Sequence, residues 1–254
     1  MNILEIKEQK MKVKYIDHMG SDLSVVRAAT ASFAKDPEAW DEVKHTRLIN
    51  YLARGMTQAE YDVLIEKVAY GQFNEREAEQ LLNDYRHTPT HWSPFAHTAI
   101  TLRLKAPIAI HAQFMKHTVG FAHNTVSRRY VSDKPEVFKP VFREAPQGNI
   151  KQGSGENHAE NLSLTSAYDR TTKYCIDIYE QMIKDGVAPE QARFILPQGV
   201  MTEWVSTGSL YAWARLYRLR TDSHAQKEIQ ELAEQIGQII KPLFPVSWSA
   251  LTGE

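Results

Sequence analysis

Residues 100–110 read Ile100-Thr101-Leu102-Arg103-Leu104-Lys105-Ala106-Pro107-Ile108-Ala109-Ile110, and this run decides what kind of fold the chain takes. Ile100, Leu102 and Leu104 alternate with Thr101, Arg103 and Lys105, the period-two signature of a strand buried on one face. Pro107 stands where a helix can begin, because its fixed φ suits the first turn and its missing N–H would have no partner there. Ile108, Ile110 and Phe114 supply that helix's apolar side. Strand passing directly into helix predicts a mixed α and β fold. The helix delivers Gln113, Lys116 and His117 into residues 113–130, QFMKHTVGFAHNTVSRRY. Cations, hydroxyls, amides and aromatics in that proportion serve poorly as core and well as an anion site. Arginine forks match phosphate oxygens, so a phosphomonoester or a pyrophosphate is the ligand this stretch suits.

Outward towards the N-terminus, residues 13–18 alternate as a short strand ending at Gly20, and Ser21 or Asp22 caps a helix that Asp36-Pro37 breaks. Leu48, Tyr51 and Leu52 share one side of a helix over residues 43–54. Thr57 with Glu60, and Asn74 with Glu77, are capping-box pairs that predict two helices in a mostly solvated insertion over about residues 57–86. Towards the C-terminus, the prolines and glycines after Tyr130 read as loop, with a polar segment at residues 147–157. Helical spacing returns over residues 160–184. Pro189 opens a short helix bearing Arg193, and residues 201–207 suit a strand. A helix over residues 210–219 follows, then a last helix capped by Thr221 or Asp222 and ended by Pro242. No repeat, linker or boundary divides the chain, so residues 1–254 read as one domain.

The charges exclude several functions. Thirty Lys and Arg against thirty-one Asp and Glu leave a net charge of -1, so no global field steers the protein onto nucleic acid or an anionic membrane. The single cysteine, Cys175, excludes an internal disulfide and fits a reducing compartment. It sits on the apolar stripe of the 160–184 helix, where a buried inert thiol is expected rather than a nucleophile. The charged start and the lack of a long apolar run make a cytoplasmic location the expectation. His87 and His91 are four apart but bracket Pro89, so they do not share a helical face, and no metal site is expected. Neither a Gly-x-Gly-x-x-Gly nor a Walker A pattern occurs, so a nucleotide would need another architecture.

At residues 116–130 the sequence resembles a family. Lys116-His117-Thr118, eight residues, then Ser127-Arg128-Arg129-Tyr130 is similar to the signature of flavin-dependent thymidylate synthases, Arg-His-Arg followed after seven or eight residues by Ser-x-Arg. Residues 19–29 (MGSDLSVVRAA), 93–97 (SPFAH), 191–197 (QARFILP) and 219–229 (LRTDSHAQKEI) resemble further blocks of the family in the same order. The triplet departs from the pattern at two positions, Lys116 and Thr118, and Thr125 stands where many members carry an acidic or amide side chain.

The resemblance implies an α+β domain, an antiparallel sheet flanked by helices, assembled as a homotetramer with sites shared between subunits. It implies that dUMP becomes dTMP without a cysteine: FAD reduced by NADPH provides hydride, and 5,10-methylenetetrahydrofolate provides the carbon. By position, Gln113, Lys116, Thr125, Ser127, Arg128, Arg129, Arg193 and Arg220 fall on dUMP-contacting places. Arg220 matches the catalytic arginine that stabilises the uracil anion. His97, Lys116, His117, Thr118, Thr125, Ser209 and Arg215 fall on the FAD side. Two alternatives share this resemblance: flavin-dependent modification of a related pyrimidine nucleotide, and a non-catalytic nucleotide-binding relative.

Overall fold

The computed structural model describes residues 10–54, 58–74, 76–78, 91–146 and 153–253. Four strands form one antiparallel sheet: β1 (Lys12–Met19), β2 (Ala99–Pro107), β3 (Phe121–Thr125) and β4 (Met201–Gly208), in spatial order β1-β2-β4-β3. The alternation in β2 does what the sequence predicts: Ile100, Leu102, Leu104 and Ala106 are wholly buried. On the opposite face Thr101 bonds Thr207 at 2.9 Å and Arg103 bonds Glu203 at 2.9 Å across the Arg103↔Val205 neighbourhood of β4. β1 is an edge strand with a register shift between Tyr15 and Asp17, and only Val13 and His18 are partly covered.

Helices among the described residues include α1 (Asp22–Thr30), α2 (Glu42–Arg54), α3 (Gln58–Ala69), α4 (Ile108–Phe114), α5 (Asn161–Lys184), α6 (Pro189–Ala192), α7 (Leu210–Thr221), α8 (Lys227–Ile240) and α9 (Pro245–Thr252). α7 and α8 carry the core. Trp213 is fully buried and donates its indole N–H to the Ile100 carbonyl at 3.0 Å, so the apolar ring is buried without stranding its one donor. Leu216, Tyr217, Ile229, Leu232, Ile236 and Ile240 complete the α7–α8 seam, and Trp248 of α9 closes it against Tyr217 with ring centroids 5.1 Å apart. A side chain fully removed from water contributes about 1.5–3 kcal/mol, so this seam and β2 outweigh any surface ion pair.

Several sequence expectations change. Residues 121–125, inside the stretch read as an anion site and given no secondary structure, form β3, whose Phe121, His123 and Thr125 pair with Gly208, Ser206 and Trp204. Asp222 is the C-cap of α7 instead of a cap for the next helix, which begins at Lys227 after Gln226. The helix expected to end at Pro242 does stop at Ile240, but it is not the last, because Pro245 occupies the first turn of α9. Asp22 begins α1, but its carboxylate accepts from the backbone N–H groups of Val246 and Ser247 at 2.9 Å each, so it caps α9 as well. Tyr51 is 41% exposed while Ile49 is buried, which rotates the covered face of α2. Cys175 is half-buried, since the buried face of α5 is Thr172, Ile176 and Tyr179.

Asn74 and Glu77 make the reciprocal capping bonds at 2.9 and 3.3 Å. Thr57, His87, the helix towards Tyr85 and residues 147–152 of the polar loop lie outside the described residues. No described helix is long and apolar enough to cross a membrane.

Candidate functional site

α4 separates two groups of polar side chains. Its N-terminal part, with Ile108 and His111, lines a cavity of about 760 Å³ shared with Thr125, Ser127, Arg128, Arg129, Arg193, Phe194 and Gln198. β3 feeds this cavity: after Thr125 the chain leaves the sheet, turns through Ser127 with a Tyr130 N–H to Ser127 carbonyl bond at 3.0 Å, and so places Ser127, Arg128 and Arg129 together. The Ser127 hydroxyl accepts from the Arg129 backbone N–H at 3.3 Å. Arg193 arrives from the turn after α6, where its Nε donates to the Glu190 carbonyl at 3.2 Å. His111 bonds the Thr125 hydroxyl at 3.0 Å, and burial, followed by the nearby His123, lowers its pKa, so a neutral imidazole forms this wall.

The C-terminal end of α4 serves a second group. Arg220, in the last turn of α7, donates from Nε to His117 Nε2 at 2.9 Å and from Nη2 to the Gln113 carbonyl at 3.2 Å. His117 can accept that bond only when neutral. Its pKa is pulled down to about 4, by burial first and then by the charges of Arg220, Arg215 and His123. With Nε2 as acceptor the proton resides on Nδ1. His123 braces the same turn: its Nε2 donates to the His117 carbonyl at 2.9 Å, and its Nδ1 lies 2.8 Å from the Ser206 hydroxyl.

The turn that follows His117 and Thr118 docks on the start of α7. Gly120 has φ +79 and accepts from the Ser209 N–H at 3.3 Å, while a Cβ on it would lie 3.0 Å from that of Ala212. Ser209 is the N-cap of α7, its hydroxyl accepting from the Ala212 N–H at 3.2 Å. Thr98 accepts from the Leu210 N–H at 2.9 Å, which brings His97 to the same helix end. His97, next to Thr98, and the turn from Thr118 to Gly120 thus lie beside the start of α7 with Ser209, while His117 bonds Arg220 in the last turn, and Arg215 lies between the two ends with its guanidinium 5.7 Å from the Tyr211 ring centre. Lys116 and Thr118 are exposed.

The expected nucleotide residues therefore fall into two sets on one chain. Thr125, Ser127, Arg128, Arg129 and Arg193 share the larger cavity; Gln113, Lys116 and Arg220 do not line it. Thr125, expected on both the nucleotide and flavin sides, sits with the first set. Cys175 lines none of the cavities described here.

Sequence reasoning did not single out His111, His123, Gln226 or Glu228. Gln113 donates its side-chain amide to Gln226, Gln226 donates to Glu228 at 2.8 Å, and Glu228 accepts from Arg143 at 2.8 Å. Glu228 is only 7% exposed. Burial opposes its charge, yet the hydrogen bonds from Arg143, its own backbone and Gln226 outweigh that and hold its pKa below the usual value. This pair lies on the wall of a further cavity of about 500 Å³ among Pro107, Ile110, Phe138, Phe142 and Tyr168. The available signal was the 219–229 block, where only Arg220 was given a role.

Comparison with known proteins gives the family and the fold. The sequence profile of the family described as thymidylate synthase complementing protein matches residues 14–246. The flavin-dependent thymidylate synthase of Thermotoga neapolitana is 30% identical over 238 residues, covering 94% of this chain and 89% of that protein. The flavin-dependent thymidylate synthase of Thermus thermophilus is 28% identical over 240 residues, covering 94% and 74%. In three dimensions the chain is similar to the UMP/dUMP methylase PolB of Streptomyces cacaoi bound with 5-Br dUMP, with a TM-score of 0.75, 24% identity and 97% and 96% of the two chains covered. The protein belongs to the thymidylate synthase complementing protein family, the family of the flavin-dependent thymidylate synthases.

Proposed function

We propose that this protein converts dUMP to dTMP by flavin-dependent reductive methylation, with 5,10-methylenetetrahydrofolate as carbon donor and NADPH as reductant. One observation carries the reading: Arg193 joins Ser127, Arg128 and Arg129 in one open cavity although it lies more than sixty residues further along the chain. Three guanidinium groups and a hydroxyl fit a phosphomonoester, and the volume of about 760 Å³ accepts a nucleotide.

Arg220 supplies the ring chemistry. Two of its nitrogens are already held by His117 and the Gln113 carbonyl, so its remaining N–H groups are oriented before substrate arrives. A fixed cation opposite uracil favours the electron-rich ring that attacks through C5, and no thiolate is required. Lys116 and Gln113 complete the nucleotide contacts from this side. The two sets meet when a second copy of the chain brings its Arg220 side against the Ser127 cavity, which a homotetramer provides.

The donors at the start of α7 fit a flavin dinucleotide. His97, Thr118 and Ser209 lie by the positive end of that helix, a setting that suits phosphate and polar ring edges, and the His117 Nδ1–H, Lys116, Arg215 and, from the Ser127 cavity, the Thr125 hydroxyl are the further flavin-side donors. Bound there, FAD supplies hydride. The test is spectroscopic: protein loaded with FAD and bleached by NADPH without oxygen should recover its oxidised spectrum only when both the folate and dUMP are added. Recovery without dUMP would overturn the reading. UMP belongs in a parallel cuvette, because PolB is described as a UMP/dUMP methylase.

A further inference from the structure

A carboxylate can only accept hydrogen bonds, and this fixes the direction of a chain of amides that begins at Glu228. One Glu228 oxygen accepts from Arg143 Nη1 at 2.8 Å and the other from Gln226 Nε2 at 2.8 Å. Gln226 must then turn its oxygen away from Glu228, and that oxygen accepts from Gln113 Nε2. The Gln113 nitrogen is thereby committed to Gln226. Its side-chain oxygen has no partner among the described residues, while its backbone carbonyl holds Arg220 at 3.2 Å.

We propose that Glu228 is a positioning residue: acting through Gln226, it fixes the polarity of the Gln113 side-chain amide so that Gln113 offers an acceptor oxygen to a hydroxyl or N–H donor of the bound pyrimidine nucleotide. The proposal rests on the nucleotide reading above and names what orients one of its contacts. An amide is nearly symmetric in shape, so packing alone does not choose which end faces a ligand. Reversing Gln226 would set its oxygen against the Glu228 carboxylate, acceptor against acceptor, beside a carboxylate that is itself only 7% exposed. Reversing Gln113 would bring its oxygen against that of Gln226 in the same way. The polarity therefore originates at the one member of the chain that cannot donate, and Arg143 keeps that member charged from the other side.

Glu228→Gln tests this with little change of shape. The new amide can accept from Arg143 and donate to the Gln226 oxygen, which frees Gln226 and then Gln113 to turn over, with no hydrogen bond lost. Calorimetric titration of the FAD-loaded protein with dUMP should show about tenfold weaker binding in Glu228→Gln, the size expected when a bound polar group meets the wrong partner. The loss should disappear when Glu228→Gln is made in a Gln113→Ala background, since no amide then remains to be oriented. Unchanged affinity in Glu228→Gln overturns the proposal, and so does an equal loss with and without Gln113, which would mark a structural effect. Should Glu228→Gln fail to fold, Gln226→Met cuts the same chain at an exposed side chain and must show the same Gln113-dependent loss. If wild-type protein does not bind dUMP, the nucleotide reading falls together with this one.

Discussion

A guanidinium is useful in a site only when something holds it still, and Arg220 is held at two nitrogens by groups that were prepared for it. His117 is one. Because its pKa is lowered to about 4 from 6.5, the imidazole is an acceptor across the neutral range. The native state consequently binds fewer protons than the unfolded chain between those two values. Stability contributed by neutral His117 is complete above pH 6.5 and declines as pH falls towards 4. Following the histidine ring signals by NMR should give His117 a midpoint near 4, and a midpoint of 6 or higher would break the Arg220 bond as described. Arg220→Ala should leave the fold and flavin content intact and lower kcat by about 100- to 1000-fold, the range for removing one oriented donor from a developing anion. Near-normal dTMP formation by that variant would place the ring-activating group elsewhere. Arg220 and Ser127 were legible in the sequence because motif and chemistry agree at both. Glu228 was not, because its role depends on Arg143 and Gln226 meeting it in space.

Elements were legible where one face is buried and the other wet. β2 declared itself through strict alternation, and α8 through its apolar spacing of three and four. β3 did not, because Phe121, His123 and Thr125 alternate within a stretch dominated by cations and amides, and only pairing with β4 shows which face they share. Pro242 does end α8, but α9 was missed because Pro245, three residues on, starts another helix that Asp22 caps from the far end of the chain. Helix packing also reverses an ordinary propensity. Replacing a helical glycine by alanine usually stabilises by about 1 kcal/mol. At Gly237 of α8, however, a Cβ would lie 2.5 Å from the Tyr217 ring of α7. Gly237→Ala should therefore destabilise the protein by about 1–3 kcal/mol, measured by urea unfolding. A stabilised variant would show that the α7–α8 seam has room for the added methyl group.

Across the whole molecule, one chain offers half of the expected nucleotide site on each side of α4. Motif positions join both halves in one set, since a motif carries no information on which copy of a chain each residue serves. If the halves meet between subunits, Arg193→Ala and Arg220→Ala are each inactive alone but complement one another. Mixed and allowed to exchange subunits at equal amounts, they should restore about a quarter of wild-type activity, because each mutation spoils half of the pairings independently. No recovery after demonstrated exchange would place both halves on one chain. The central claim is tested most directly by product. Purified protein with FAD, NADPH, 5,10-methylenetetrahydrofolate and dUMP should yield dTMP, identified by a mass increase of one methylene unit on the nucleotide. Flavin-loaded protein that binds dUMP and yields no dTMP would contradict the account.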